Sequence, residues 1–97
     1  MARQVVIDRD ILGWVDEHTD ELSRKYQNVL PVSKHPDLPQ RNSDVENAKY
    51  CKQNDCDMIT GDTTAHTHFF EAGIKSVRIT KMEPLKDKDI YLIHIEE

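Results

Sequence analysis

The sequence predicts an α/β domain on a mainly parallel central sheet, and three observations carry that prediction. Short apolar runs alternate with amphipathic stretches in the order strand, helix, strand, helix, strand, helix, strand, and right-handed crossovers between parallel strands require a helix in each connection. Val5-Val6-Ile7 and Met58-Ile59 are continuous apolar runs, as expected of strands buried on both faces. Ser43-Asp44-Val45-Glu46 has the form of a capping box, which fixes the start of one crossover helix. A chain of 97 residues has room for one domain spanning 1–97.

The elements follow in order. Gln4 to Ile7 forms the first strand and ends at Asp8. Ile11, Leu12, Val15, Leu22 and Tyr26 recur at helical spacing, with acidic residues between them and a break near His18 and Thr19. Val29 to Val32 is a short strand whose Pro31 cannot donate to a ladder, which places it at a sheet edge. Lys34 to Asn42 is a loop containing Pro36 and Pro39, and the Ser43-capped helix runs to about Asn54. Cys56 to Thr60 is the next strand, stopped by Gly61-Asp62; Phe69 to Ala72 is a short helix closed by Gly73. Ile74 to Ile79 is a strand, Lys81 to Asp89 a charged loop, and Ile90 to Ile95 a last strand.

The hydrophobic share is 37%, lean for a globular domain but compatible with folding. Lysine and arginine number 13 against 18 acidic residues, a net charge of −5, which excludes a uniformly basic nucleic-acid coat. The apolar runs are too short for a membrane span or a signal-peptide core, so the expected location is cytoplasmic and away from membranes. Cys51 and Cys56 are too few for a disulfide framework. An apolar last strand would be an aggregation hazard if left exposed, and it predicts a homodimer.

In parallel sheets ligands gather beyond the carboxyl ends of the strands. Asp8 and Asp62 each follow a strand directly, and Asp44 opens a helix entering the same layer, so three carboxylates meet at one edge. Like charges so placed require a cation or a proton. Mg²⁺ or Mn²⁺ suits such hard oxygen donors and would bring an anionic phosphodiester to an acidic protein while activating water for its hydrolysis.

Val5-Val6-Ile7-Asp8, Ser43-Asp44-Val45-Glu46-Asn47-Ala48 and Met58-Ile59-Thr60-Gly61-Asp62, in that order and with 18 residues from Asp44 to Asp62, resemble the PIN domain of metal-dependent ribonucleases, most closely its small PIN-like members of the toxin type. The resemblance covers Gln4 to about Ile79. It implies a three-layer α/β/α fold, here shortened, and an endoribonuclease using one or two Mg²⁺ or Mn²⁺ ions, with RNA as substrate and an antitoxin-type protein as a partner. It also implies that Asp8, Asp44 and Asp62 are the catalytic, metal-binding acids. The family's middle acid has no counterpart in the loop from Lys34 to Asn42, where Asp37 is merely available, and its Thr-x-Asp-x-Asp-Phe ending becomes Thr60-Gly61-Asp62-Thr63-Thr64-Ala65.

Asp10, Glu46, Thr60 and His66 are accessory candidates; Glu46 is also explained by the capping box and Asp10 by an N-cap. Arg9, Arg41, Lys49 and Lys52 are candidate phosphate contacts. Either His66 or His68 could meet a phosphate or supply a proton. Cys51, Cys56, His66 and His68 invite a zinc reading that their spacing argues against. Two rival functions accompany the nuclease: a catalytically degenerate PIN-like module binding RNA or protein, and a phosphatase. The latter rests on Asp8-Arg9-Asp10, Ser33, a lysine and Gly61-Asp62, an order similar to that of haloacid-dehalogenase-type enzymes, with Asp8 as nucleophile and Asp10 as general acid.

Overall fold

A computed structural model describes residues 4–96. Strands β1 (Gln4–Ile7), β2 (Asn28–Pro31), β3 (Cys56–Thr60), β4 (Val77–Leu85) and β5 (Lys88–Ile95) form one five-stranded sheet in the order β2-β1-β3-β5-β4. Helices α1 (Leu12–Glu17), α2 (Thr19–Lys25), α3 (Asp44–Asn54) and α4 (Ala65–Glu71) fill the connections, with a 3-10 turn at Arg9–Ile11. The chain is mixed α/β, and no described helix is long and apolar enough to cross a membrane.

The local signals act where the sequence puts them. The helical segment breaks at His18, whose backbone caps α1 and opens α2. Pro31 lies in β2, at an edge of the sheet. Ser43 Oγ accepts from the Glu46 N–H and the Glu46 carboxylate accepts from the Ser43 N–H, both at 3.1 Å. Asp55, left-handed at φ 54°, ends α3, and β3 begins at the next residue.

The mainly parallel expectation is corrected. β1 runs parallel to β2 and β3, whereas β5 pairs antiparallel with β3 and with β4. Leu85 stands opposite Lys88, so two residues, Lys86 and Asp87, join β4 to β5, and so short a link allows only an antiparallel neighbour. Most of the predicted charged loop is the second half of β4. Its charges face water along an edge strand, where they deter pairing with another chain, and Pro84 sits in the irregular stretch between Met82 and Leu85. The last strand is internal, flanked on both sides, so the exposed edge on which the homodimer expectation rested is already paired within the chain.

Apolar side chains pack on both faces of the sheet. Val6, Met58 and Ile93 join Ala48 and Cys51 of α3 and Ala65 and Phe69 of α4 in one cluster. Val5, Ile7, Ile59 and Ile90 join Ile11, Trp14 and Leu22 in the other. Alternate residues of β1 and β3 thus serve opposite cores, as a period of two dictates. Both cysteines are buried and free. Burial pushes the Cys56 thiol up to about 11 and the Cys51 thiol also upward, so both pack as protonated apolar groups.

Trp14 ties α1 to the hairpin. Its indole N–H donates to the Glu83 carbonyl at 2.8 Å, and its ring stacks on His18 at 4.0 Å. His18 Nδ1 lies 2.8 Å from the Trp14 carbonyl and Nε2 lies 3.2 Å from the Glu83 carboxylate. Burial opposes charge on the imidazole, but the Trp14 carbonyl and Glu83 outweigh it, and the net displacement is upward from 6.5. The sign follows: this contribution to stability is complete below the unfolded value and is lost as pH rises through the higher folded one. Thermal melts should therefore lose stability over the range just above pH 6.5, and Glu83→Gln should flatten that loss. An identical slope in the variant would reject the linkage.

Candidate functional site

The site forms where β1 and β3 end and α3 begins. Past β1, the Asp8 N–H donates to the Ile59 carbonyl at 3.0 Å, extending the ladder by one residue. This holds the Asp8 carboxyl beside the end of β3. Thr60, fully buried, donates its hydroxyl to Asp8 Oδ2 at 2.8 Å and accepts the Asp62 N–H at 3.1 Å. One hydroxyl therefore positions both acidic segments. Asp62 Oδ1 accepts from the Thr64 N–H and hydroxyl, both at 2.9 Å, a local turn that suits Asp. Asp44, the first residue of α3, lines the same pocket.

Asp8, Asp44 and Asp62 all line this pocket, with Asn47, His68 and an apolar wall of Val32, Met58, Ala65 and Phe69. Its interior space is about 10 Å³, the size of one water or one small cation. His68 Nε2 stands 3.4 Å from Asp44 Oδ2 and 4.0 Å from Asp62 Oδ2, and its Nδ1 is buried without a hydrogen-bond partner.

The acids differ electrostatically. Burial raises the Asp8 carboxyl above the usual carboxylate value, with the Thr60 hydrogen bond opposing and the charges of Asp10 and Asp44 adding to the rise. The two Thr64 donors hold Asp62 below it, with smaller help from His68 and His66. One carboxyl resists charge and another retains it, a divergence common where carboxyls serve a reaction.

The structure brings together Asp8, Asp44 and Asp62 and adds Thr60 as their support. Other candidates fall elsewhere. Asp10 pairs with Lys88 at 2.8 Å instead of facing the pocket. That lysine crosses Gly61, where a Cβ would collide with Lys88 Cε and lie 3.0 Å from Ile11 Cγ2. Glu46 is spent in the capping box, which lowers its carboxyl through the Ser43 N–H and hydroxyl. His66 meets the edge of Phe70 at 5.9 Å and does not line the pocket. Arg9 donates to the Gln40 carbonyl at 3.4 Å, holding the loop before α3. Arg41 and Lys49 act on Glu46 and do not line the pocket. Lys52, near the C-terminal end of α3, lines a separate cleft with Cys56 and Asp57. It is away from the acids because α3 carries it to the opposite end of β3.

Asn47, which the sequence did not single out, and His68, one of the two histidines it did, complete the site. Asn47 lies three residues after Asp44 in a helix, a spacing that shares a face, and its low exposure of 4% marks it as inward-facing. His68 occurs one turn into α4, on the face that carries Ala65 and Phe69.

No protein-family model, curated protein or solved structure matches the chain.

The donor set of three carboxylates fits a hard divalent cation chemically. The like charges acting on Asp8 are those a cation would relieve. Among the described residues no three acidic, histidine or cysteine side chains already stand in metal-holding geometry. Instead, the His68 ring lies close to both Asp44 and Asp62.

Proposed function

We propose that the protein is a Mg²⁺- or Mn²⁺-dependent endoribonuclease that hydrolyses RNA phosphodiester bonds, on a shortened three-layer PIN-like scaffold working in the cytoplasm. One observation carries the reading: acids from three separated segments, Asp8, Asp44 and Asp62, line one pocket at the ends of β1 and β3. A toxin-type role, with an antitoxin-like protein as partner, follows from the same resemblance.

In this reading the three carboxylates would hold the cation, with Asn47, whose Oδ1 accepts from Asn42 Nδ2 at 3.5 Å, lining the same pocket. A bound divalent ion supplies charge stabilisation at the phosphoryl group and activates water. Thr60 fixes the Asp8 carboxylate and the Asp62 backbone through one hydroxyl, so neither acid must be ordered when substrate arrives. The Thr64 donors keep Asp62 charged. His68, beside two of the acids, is placed to swing from them toward a phosphate oxygen.

The test is cleavage of an end-labelled single-stranded RNA with Mn²⁺ or Mg²⁺ and again with a chelator. Cleavage should require the metal, and Thr60→Val should reduce it by about 10–100-fold, the usual effect of losing a ligand's support, whereas Thr60→Ser should restore most of it. Metal-independent cleavage, or full activity of Thr60→Val, would reject the mechanism. The binding-module alternative is favoured by His68, an internal partner for Asp44 and Asp62; it predicts RNA binding with no cleavage in any metal. Nothing favours the phosphatase, since Asp10, its general acid, is paired with Lys88.

A further inference from the structure

A second constellation lies at the opposite end of β3 and on the opposite face. Asp57 is 3% exposed, an acid within a wholly buried strand. Both of its oxygens are engaged: Oδ2 accepts the Tyr26 hydroxyl at 2.6 Å, and Oδ1 lies 2.7 Å from His94 Nδ1. Burying a carboxylate is costly, and hydrogen bonds of this kind are what offset the cost. Burial and the neighbouring Asp57 push the Tyr26 phenol far up, so Tyr26 remains a donor.

This arrangement fixes His94. Facing a carboxylate, Nδ1 carries the proton, and Nε2 is directed away from Asp57 with no described residue bonded to it. A carboxylate behind an imidazole orients the ring and sets its tautomer. His94 lines a cleft of about 250 Å³ together with Lys25, Tyr26, Arg78, Thr80 and Leu92. Arg78 stands directly across the ladder from His94, and Lys25 comes from the end of α2. Neither Arg78 nor Lys25 forms a hydrogen bond or ion pair with a described residue. Among the described residues, the only carboxylate lining the cleft is Asp57, which already accepts from Tyr26 and meets His94.

We propose that this cleft is a phosphate-binding site, in which the Arg78 guanidinium and the Lys25 ammonium converge on the anion beside the His94 ring. Arginine matches phosphate oxygens with a planar fork, and lysine adds a point charge. A cleft of about 250 Å³ exceeds what a free phosphate fills, leaving space for an attached sugar. The site is separate from the acidic pocket. Asp57 and Met58 face opposite sides of β3, and Asp57 lies three residues before Thr60, or about 10 Å along the strand. It therefore rests on no part of the nuclease reading.

The experiment is an NMR titration of the full chain, in a chelator that suppresses metal-dependent chemistry, following the His94 imidazole. One arm adds inorganic phosphate and the other a short oligoribonucleotide. The His94 resonances should shift saturably, and Arg78→Gln and Lys25→Gln should each weaken binding by about tenfold. Both substitutions are at exposed positions, so the fold is retained. Saturation by phosphate alone assigns the site to a free phosphate or small ester. Saturation only by the oligoribonucleotide, still dependent on Arg78, assigns it to a backbone phosphate. No saturation in either arm, or binding that Arg78→Gln leaves unchanged, overturns the proposal.

Discussion

Asp8→Asn should lower metal-dependent RNA cleavage by at least about 10²-fold and at the same time raise the melting temperature. The two effects share a cause. The carboxylate is held in a partly buried position, accepting one hydroxyl from Thr60 at 2.8 Å, while Asp10 and Asp44 add repulsion. An asparagine keeps an oxygen to accept that hydroxyl, removes the charge, and with it the strongest reason for a cation to bind. The pH dependence follows. Because the folded carboxyl is raised, the folded state is favoured when Asp8 is protonated, and this contribution is lost as pH rises through the folded value. The stability gained by Asp8→Asn should therefore be largest near neutrality and vanish toward pH 3.8 and below. Matched melts and cleavage assays check both. A variant that is less stable at neutral pH would contradict the electrostatic account, and one that still cleaves would contradict the assignment of Asp8. Sites that give up stability in this way are common where function requires it.

Trp14→Ala should produce the largest loss of stability, about 3–5 kcal/mol, against a total of about 5–15 kcal/mol for a domain of this kind. Trp14 is fully buried and shares its cluster with Ile7 and Ile11, which flank the turn bearing Asp8. Its loss would leave a cavity on one face of the sheet and detach α1 from the hairpin, because the indole N–H to the Glu83 carbonyl goes with it. Trp14→Phe separates the two contributions: it keeps most of the apolar packing and removes the hydrogen bond, so its cost should be smaller by more than half. Urea unfolding of the three proteins measures the ladder. Equal losses in both variants would assign the stabilisation to the hydrogen bond instead of to packing.

Some of this molecule is legible residue by residue. Val5-Val6-Ile7 in β1 and Met58-Ile59 in β3 are apolar without alternation, as in strands covered on both faces. The Ser43 cap and the end of α3 are local chemistry, complete within a few residues. For the same reason Asp8, Asp44 and Asp62 could be placed at one edge: each is the residue at which an element stops or starts, and topology then aligns those ends. The hairpin is different. β4 is charged because one edge of it and much of its surface meet water, and a solvated edge strand reads like a loop until its partner is known. Nothing near Ile90 indicates that β4 covers it.

The opening prediction of a parallel α/β sheet thus holds for β2, β1 and β3, where the connecting helices enforce it, and fails for β4 and β5, where a two-residue turn does. By itself the sequence determined the bounds of β1, α3 and β3, the two-sided burial of the central strands and the three acids at the ends of these elements, because each depends on periodicity or on capping within a single segment. Tertiary structure decided the rest: that Thr60 joins Asp8 to Asp62, that His68 and not His66 stands beside the acids, and that Asp57 is gripped by Tyr26 and His94. Those relations depend on the direction of a hydrogen bond or the approach of a side chain across tens of residues, and such distances are set only when the sheet is assembled.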